Sequence, residues 1–298
     1  MSVDSANTAA DGILGRMVNV LTETGDMPYK SALYSTIGER KIIQGSDGVP
    51  PDVISQDGVE RYRAYTDVKA GFDKLLKQDS ASLFSQTFSE SLQNSLEKTE
   101  LIGELVKDVK PTSKYKVNPQ SAFSRQFDVV AKMIKLDTTA LQNERAAYVV
   151  GAGNFDTHNS PDLSEQFEDI NGGLKQFVNE MKAQGLWENV TVMCISDFGR
   201  TITSNSQGTD HSWGGNYWML GGDVNGGQIL GKYPQRLDKE YSDEVFTSRV
   251  IPTTPWEAVW KGIAQWWGVA NETIPSILPN AANFPEETLF SRSQLFKS

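Results

Sequence analysis

The chain has 298 residues, of which 38% are hydrophobic and 22% are charged, and its formal net charge is −10 with a pI of about 4.8. This composition is that of an ordinary soluble globular protein, long enough for one large core or two modest ones. The acidic balance argues against nucleic acid as a partner. An anionic substrate would need a local cation, from a metal or an arginine, to overcome the same field.

The sequence also bears on membrane spans, export signals and disulfides. No apolar run approaches the ~20 residues of a membrane span. Residues 1–12 are polar and lack the basic and apolar regions of a signal peptide, so we expect no export address in this chain. The single cysteine, Cys194, cannot form an internal disulfide, so cysteine usage does not indicate whether the protein works in an oxidising or a reducing compartment.

Residues 1–140 predict the mainly helical part of one α/β domain that spans residues 1–298. Apolar side chains recur at helical spacing within residues 11–25, 83–105 and 122–134. Residues 44–58 are rich in glycine and proline and predict a loop.

Residues 147–234 predict the core of the sheet. A short apolar strand at 147–150, a helix from Pro161 to Gly185 and a second apolar strand at 190–195 together form a βαβ unit, whose strands should run parallel. Further short strands fit at 217–220 and 228–230. A helix is expected within residues 255–270.

Ligands of parallel sheets collect beyond the carboxyl ends of the strands, and the polar residues of interest fall at that edge. Both histidines of the chain lie within two residues of an aspartate, in Asp156-Thr157-His158 and in Asp210-His211. Carboxylate and imidazole are ligands of divalent transition metals, so these residues predict a metal site. Alternatively, Asp156 makes a loop hydrogen bond and His158 caps the next helix.

A second pair of polar residues follows the strand at 190–195. Asp197 would be costly to bury unpaired, and either a metal or the neighbouring Arg200 would offset that cost. Arg200 is also the candidate for binding a phosphate or sulfate, because its planar guanidinium matches two anionic oxygens. The alternative is a purely structural Asp197–Arg200 pair.

Two other site classes find little support in the sequence. A Gly-x-Ser-x-Gly nucleophile elbow is absent. Gly151-Ala152-Gly153 is too short for a dinucleotide or P-loop fingerprint.

Four motifs within residues 154–234 resemble the DUF1501 family, a largely uncharacterised group in the alkaline phosphatase/sulfatase-like superfamily. The resemblance implies a doubly wound, mainly parallel sheet with helices on both faces and metal at its carboxyl edge. It also implies that Asp156, His158 and His211 bind one metal and that Asp197 binds a second. The motifs are Asn154-Phe155-Asp156-Thr157-His158, Ser196-Asp197-Phe198-Gly199-Arg200-Thr201, Gly208-Thr209-Asp210-His211 and Gly226-Gly227 through Gly231-Lys232-Tyr233-Pro234.

The chain departs from the family pattern at two places. Asp197 stands where relatives usually have glutamate, and Phe198 stands where active phosphatases of the superfamily have a ligand histidine. Relatives also begin with a strand and a glycine-rich metal loop ahead of the segment matched by Gly15-Arg16. We therefore expect a partial or reduced family member that is weakly active or inactive.

The expected function is a metal-binding, hydrolase-like protein acting on a small phosphorylated or sulfated substrate, with Asp156, His158, Asp197, Asp210 and His211 as metal ligands. Zinc is the first choice of metal, with manganese, magnesium or calcium as alternatives. A competing hypothesis is a non-enzymatic module that binds an anion, a glycan or a protein in the same cleft. A third is a structural role, with Asp–Arg pairs in place of metal.

Overall fold

A computed structural model describes residues 11–23, 29–45, 51–55, 69–71, 74, 83–160, 162–237 and 245–297. Within these ranges the chain is a mixed α/β protein with a small parallel sheet and three short antiparallel pairs. None of the described helices is long and apolar enough to span a membrane.

The helices form where apolar residues repeat at three- and four-residue steps, as the sequence predicts. The third helix begins at Ser121, whose hydroxyl accepts a hydrogen bond from the Ser124 backbone and caps the first turn. The fifth helix ends at Gly268, which adopts the left-handed conformation that favours glycine (φ 102°). The bounds are α1 (Ile13–Glu23), α2 (Leu83–Asp108), α3 (Ala122–Asp137), α4 (Ser164–Ala183), α5 (Trp256–Trp267), α6 (Ile274–Ile277) and α7 (Arg292–Leu295).

The parallel sheet has three strands in the order β2-β1-β3, with β1 (Ser31–Ser35), β2 (Asp52–Val53) and β3 (Arg145–Val149). Tyr34 of β1 is in register with Asp52 and with Tyr148. All five residues of β1 are buried. A strand covered on both faces does not need alternating polar and apolar residues, so its sequence lacks the usual two-residue pattern of a strand. This explains why the strand is hard to predict.

Helices cover both faces of this sheet. On one face, Leu33 packs in a core with α1, α5 and α6; on the other, Ala32 and Tyr34 pack against α2 and α3. A third cluster joins α3, α4 and residues 187–192. Because successive strand residues point to opposite faces, β1 and β3 each contribute side chains to both of the larger cores.

The remaining strands pair antiparallel. They are β4 (Thr191–Met193) with β7 (Met219–Gly221), β5 (Gly199–Ser204) with β6 (Thr209–Ser212), and β8 (Val245–Phe246) with β9 (Arg249–Val250). The β5–β6 pair forms a hairpin around residues 205–208.

Most predicted elements are confirmed, but the pairing within the βαβ unit is wrong. Helices are present within the predicted segments 11–25, 83–105, 122–134, 161–185 and 255–270, of which residues 24, 25 and 161 lie outside the described residues. The strands near 147–150 and 190–195 are present as well. Within the described ranges, however, β3 pairs with β1, whereas β4 pairs antiparallel with β7. Tyr148 and Val192 share a cluster, so the two strands are neighbours in space without sharing a ladder.

Two smaller predictions need correction. Residues 228–230 form no strand, and Ile229 is 85% exposed, so it gains nothing from a sheet face. Residues 51–55 of the predicted loop contain β2, which pairs with β1 despite the preceding prolines. Residues 46–50 and 56–58 of that loop lie outside the described residues.

A buried polar network lies between the sheet and α3. Asp137 is 5% exposed and accepts hydrogen bonds from the Tyr148 hydroxyl and from the Asn143 amide, which also donates to Tyr34. Burial raises the pKa of the Asp137 carboxyl to about 6, although both hydrogen bonds and the charge of Lys30 oppose that rise. Removal from water outweighs the stabilisation of the anion by its partners.

This raised pKa predicts that the free energy of unfolding falls between about pH 4 and pH 6. In that window the unfolded chain has lost the Asp137 proton while the folded chain retains it, so stability decreases as pH rises. The loss should reach about 3 kcal/mol above pH 6. Urea unfolding at several pH values should show a smaller decrease in Asp137→Asn than in the unchanged protein.

The control is Asp108→Asn, an exposed aspartate at the end of α2. The pH dependence of this variant should match that of the unchanged protein. If Asp137→Asn also matches it, Asp137 does not titrate with a raised pKa in the folded state.

Candidate metal centre

The loop after β3 and the β5–β6 hairpin together build the site. Asp156 and His158 lie in the loop between β3 and α4, whereas Arg200 lies in β5 and His211 in β6. Arg200 and His211 are register partners across the hairpin. Asp156, His158, Arg200 and His211 therefore converge, but by packing of a hairpin on a loop and not at the edge of a β3–β4 pair.

The core of the site is one carboxylate oxygen between two imidazoles. Asp156 Oδ1 lies 2.9 Å from Nε2 of His211 and 3.0 Å from Nε2 of His158. One ligand atom from each of the three residues falls within 4.8 Å of the others. The side chains are open to solvent, with exposed fractions of 58% for Asp156, 40% for His158 and 49% for His211.

Arg200 ties the loop to the hairpin. Its Nη2 donates to Asp156 Oδ1 at 2.6 Å and to the Phe155 carbonyl at 2.8 Å, and its Nη1 donates to the Thr209 carbonyl at 2.7 Å. The Thr209 amide in turn donates to the Thr157 carbonyl at 3.0 Å. Arg200 therefore lies beside Asp156, with much of its guanidinium already bonded to protein oxygens.

These contacts change the pKa of Asp156. Hydrogen bonds from His211 first, and then from Arg200, lower the pKa of the Asp156 carboxyl below its usual value. This carboxylate is therefore held as the anion, the form in which it can bind a cation.

Aromatic packing fixes the plane of His211. The Phe198 ring stacks on the imidazole with a centroid distance of 4.0 Å and an interplanar angle of 3°. His158 stacks on His211 with a centroid distance of 5.0 Å, and the Arg200 guanidinium lies 4.9 Å from the Phe198 ring. Phe198 thus packs against one of the two histidines of the cluster.

Asp210 lies behind His158 and outside the group of three. Its Oδ1 is 3.4 Å from His158 Nδ1 and accepts a hydrogen bond from Asn205 at 3.1 Å. A carboxylate on Nδ1 favours the tautomer in which Nε2 carries the lone pair. Asp210 is thus placed to orient a ligand.

Asp197 is not brought into the cluster. It is exposed and precedes β5, and nearby Tyr217 donates a hydrogen bond to the Ser196 carbonyl. Among the described residues Arg200 pairs with Asp156 and not with Asp197, so the structural pair considered from the sequence has a different acid. The metal roles of Asp197, Asp210 and the three clustered residues stay predictions.

The β5–β6 hairpin, which carries half of the site, was not predicted from the sequence. Its signal was present: the β-branched run Thr201-Ile202-Thr203 precedes Asn205-Ser206-Gln207-Gly208, a turn-forming sequence. Gly208 is buried in this turn, and a Cβ there would lie 2.0 Å from the Thr157 carbonyl oxygen. The glycine permits the close contact between turn and loop.

Fold and site together define a mixed α/β protein with an open His–Asp cluster. The chain belongs to the family described as "Protein of unknown function (DUF1501)", whose profile matches residues 68–253. No curated protein and no solved structure matches the chain.

Substitution of Gly208 by alanine should move the Asp156–His158 loop away from the hairpin, because the added methyl overlaps the Thr157 carbonyl. We expect a loss of about 1–3 kcal/mol in the free energy of unfolding, together with shifted NMR signals of both histidines. Gly153→Ala is the matched control in the same loop, since a Cβ there meets nothing within 4 Å. Equal behaviour of the two variants would contradict the close contact.

Proposed function

We propose that the protein binds one divalent cation, zinc in the first instance, through Asp156, His158 and His211. The observation that carries the proposal is the position of Asp156 Oδ1 at 2.9 and 3.0 Å from the Nε2 atoms of two histidines. Ligand atoms bound at ~2.0–2.2 Å to one zinc ion lie roughly 3–3.5 Å apart, close to these two carboxylate–imidazole separations. Two imidazoles and a carboxylate are also the ligand types of catalytic zinc sites.

The residues around the three ligands support the same proposal. Asp210 would hold His158 with Nε2 directed at the cation, and Phe198 would hold the ring of His211. Arg200 would keep Asp156 in place through its bonds to the loop and the hairpin. These contacts pre-organise the ligands before any ion is bound.

The reaction class we propose is hydrolysis of a phosphate or sulfate ester. A cation with three protein ligands keeps open positions, where it can polarise the ester and lower the pKa of bound water. A doubly wound, alkaline phosphatase-like arrangement is part of this proposal, and the parallel sheet with helices on both faces is compatible with it. Arg200 would add positive charge beside the ester. Its Nη1 group, which donates to the Thr209 carbonyl, would also donate to the ester.

A non-enzymatic binding module is the second candidate. The Phe198 ring packs on His211 at the position where a second metal ligand is expected in active phosphatases. One cation stabilises an attacking or a leaving oxygen less completely than a pair does. The same cluster could therefore retain an anion without turning it over.

Metal binding is predicted to depend on both histidines. Calorimetric titration of the untagged chain with zinc should show about one ion per chain, and His158→Ala or His211→Ala should weaken it by more than about 100-fold. Asp210→Asn should cost about 10–100-fold, the usual effect of losing an outer-shell partner.

Asp197→Asn is the control, because this exposed aspartate lies in the same motif but outside the cluster. It should leave the affinity for the first ion unchanged. Equal zinc affinity in His211→Ala and in the unchanged protein would contradict the proposed ligands. A loss in Asp197→Asn as large as that in His211→Ala would contradict the three-residue assignment.

Turnover separates the two candidate functions. With zinc bound, we expect slow release of product from an aryl phosphate or an aryl sulfate, at less than ~1 per second, and none in the zinc-free protein or in His211→Ala. Zinc binding without any metal-dependent turnover would reject the enzymatic proposal and support the binding module.

A further inference from the structure

A polar cavity lies in the C-terminal part of the chain and shares no residue with the candidate metal centre. Its volume is about 500 Å³, within the range of small-molecule sites. It opens between the end of α5 with the residues that follow it and the segment that contains α7. The lining residues are Gln265, Val269, Ala270, Asn271, Ser291, Arg292, Ser293 and Lys297.

The charge of this cavity is opposite to that of the chain. Arg292 and Lys297 line it, and no aspartate or glutamate is among the lining residues, although the chain has a net charge of −10. The Arg292 side chain has no ion-pair or hydrogen-bond acceptor among the described residues. An exposed guanidinium facing a concave site in an acidic protein is a favourable position for an anion.

The polar groups of the wall are held in place by one another. The Arg292 backbone amide donates to Gln265 Oε1 at 2.8 Å, and Gln265 Nε2 donates to Asn271 Oδ1 at 2.7 Å. Because Oδ1 of Asn271 is an acceptor in this network, its amide group remains a donor toward the cavity. Lys297 Nζ donates to the Gly222 carbonyl at 2.6 Å, which positions the ammonium and uses one of its three protons.

We infer that this cavity binds a small molecule through a phosphate or sulfate group, with the oxyanion on Arg292, Lys297 and the Asn271 amide. The guanidinium fork matches two oxygens of a tetrahedral anion, and the ammonium supplies a second charge. Val269 and Ala270 add a small apolar wall for the rest of the molecule. The lining residues, 265–297, follow the family match to residues 68–253, so the inference concerns this chain and not the family as a whole.

The test is titration of the full, metal-free chain with inorganic phosphate and with sulfate. Binding is measured by calorimetry and by NMR of the Asn271 side-chain amide. Arg292→Ala should weaken phosphate binding by about tenfold or more, as expected for a charge-assisted hydrogen bond. Asn271→Asp keeps the acceptor for Gln265 but places a carboxylate in the cavity, and it should abolish binding.

Two controls make the result decisive. Arg40→Glu reverses an exposed charge elsewhere on the chain and should leave phosphate binding unchanged. His211→Ala should also leave it unchanged, so failure of the metal proposal and failure of this one are distinguishable. The inference is overturned if phosphate and sulfate do not bind, or if Arg292→Ala binds them as well as Arg40→Glu does.

Discussion

One carboxylate oxygen, Asp156 Oδ1, is the point on which the candidate site depends. It lies within 3.0 Å of nitrogen atoms from His158, Arg200 and His211, which come from a loop and from both strands of a hairpin. An anion surrounded in this way draws three separate segments together. Hydrogen bonds from His211 and Arg200 hold this carboxylate as the anion, which is the form that the proposed cation requires.

The hairpin can serve this carboxylate because it is docked by backbone contacts as well as by side chains. The Thr209 amide bonds to the Thr157 carbonyl, and Arg200 spans from Phe155 to Thr209. The parallel sheet sets where the loop starts, at the end of β3, and the hairpin sets where the loop is held. The hydrogen bonds between loop and hairpin therefore fix the relative positions of the site residues, since β5 and β6 are not part of the parallel sheet.

Much of this arrangement could be read from the sequence, and the reasons for the rest are physical. Helical spacing located α1, α3, α4 and α5, because each buries one apolar stripe. The pairing of Asp156-Thr157-His158 with Asp210-His211 indicated convergence correctly. The partner of β4 could not be read in the same way, since two apolar strands around a helix do not reveal which edges form hydrogen bonds. Asp197 was placed in the site by motif, but its side chain lies in solvent.

Arg200 shows how a residue type can be recognised while its contacts are not. Its sequence position indicated a free guanidinium for an anion, whereas the structure bonds it to two carbonyls and a carboxylate. Arginine suits both tasks because of its planar set of donors. The fold determines which acceptors lie within hydrogen-bonding distance of the Arg200 guanidinium. Arg292, outside every motif, is the guanidinium that the described residues leave without an acceptor.

Binding of one cation by both histidines through Nε2 can be tested directly, because the chain has only two histidines. Long-range proton–nitrogen NMR spectra of the untagged protein, recorded during zinc addition, would report four imidazole nitrogens. We expect both Nε2 signals to move to the metal-bound range together, at one equivalent of zinc, while Nδ1 of His158 stays protonated beside Asp210. Signals that do not move, or a shift confined to one histidine, would contradict this binding.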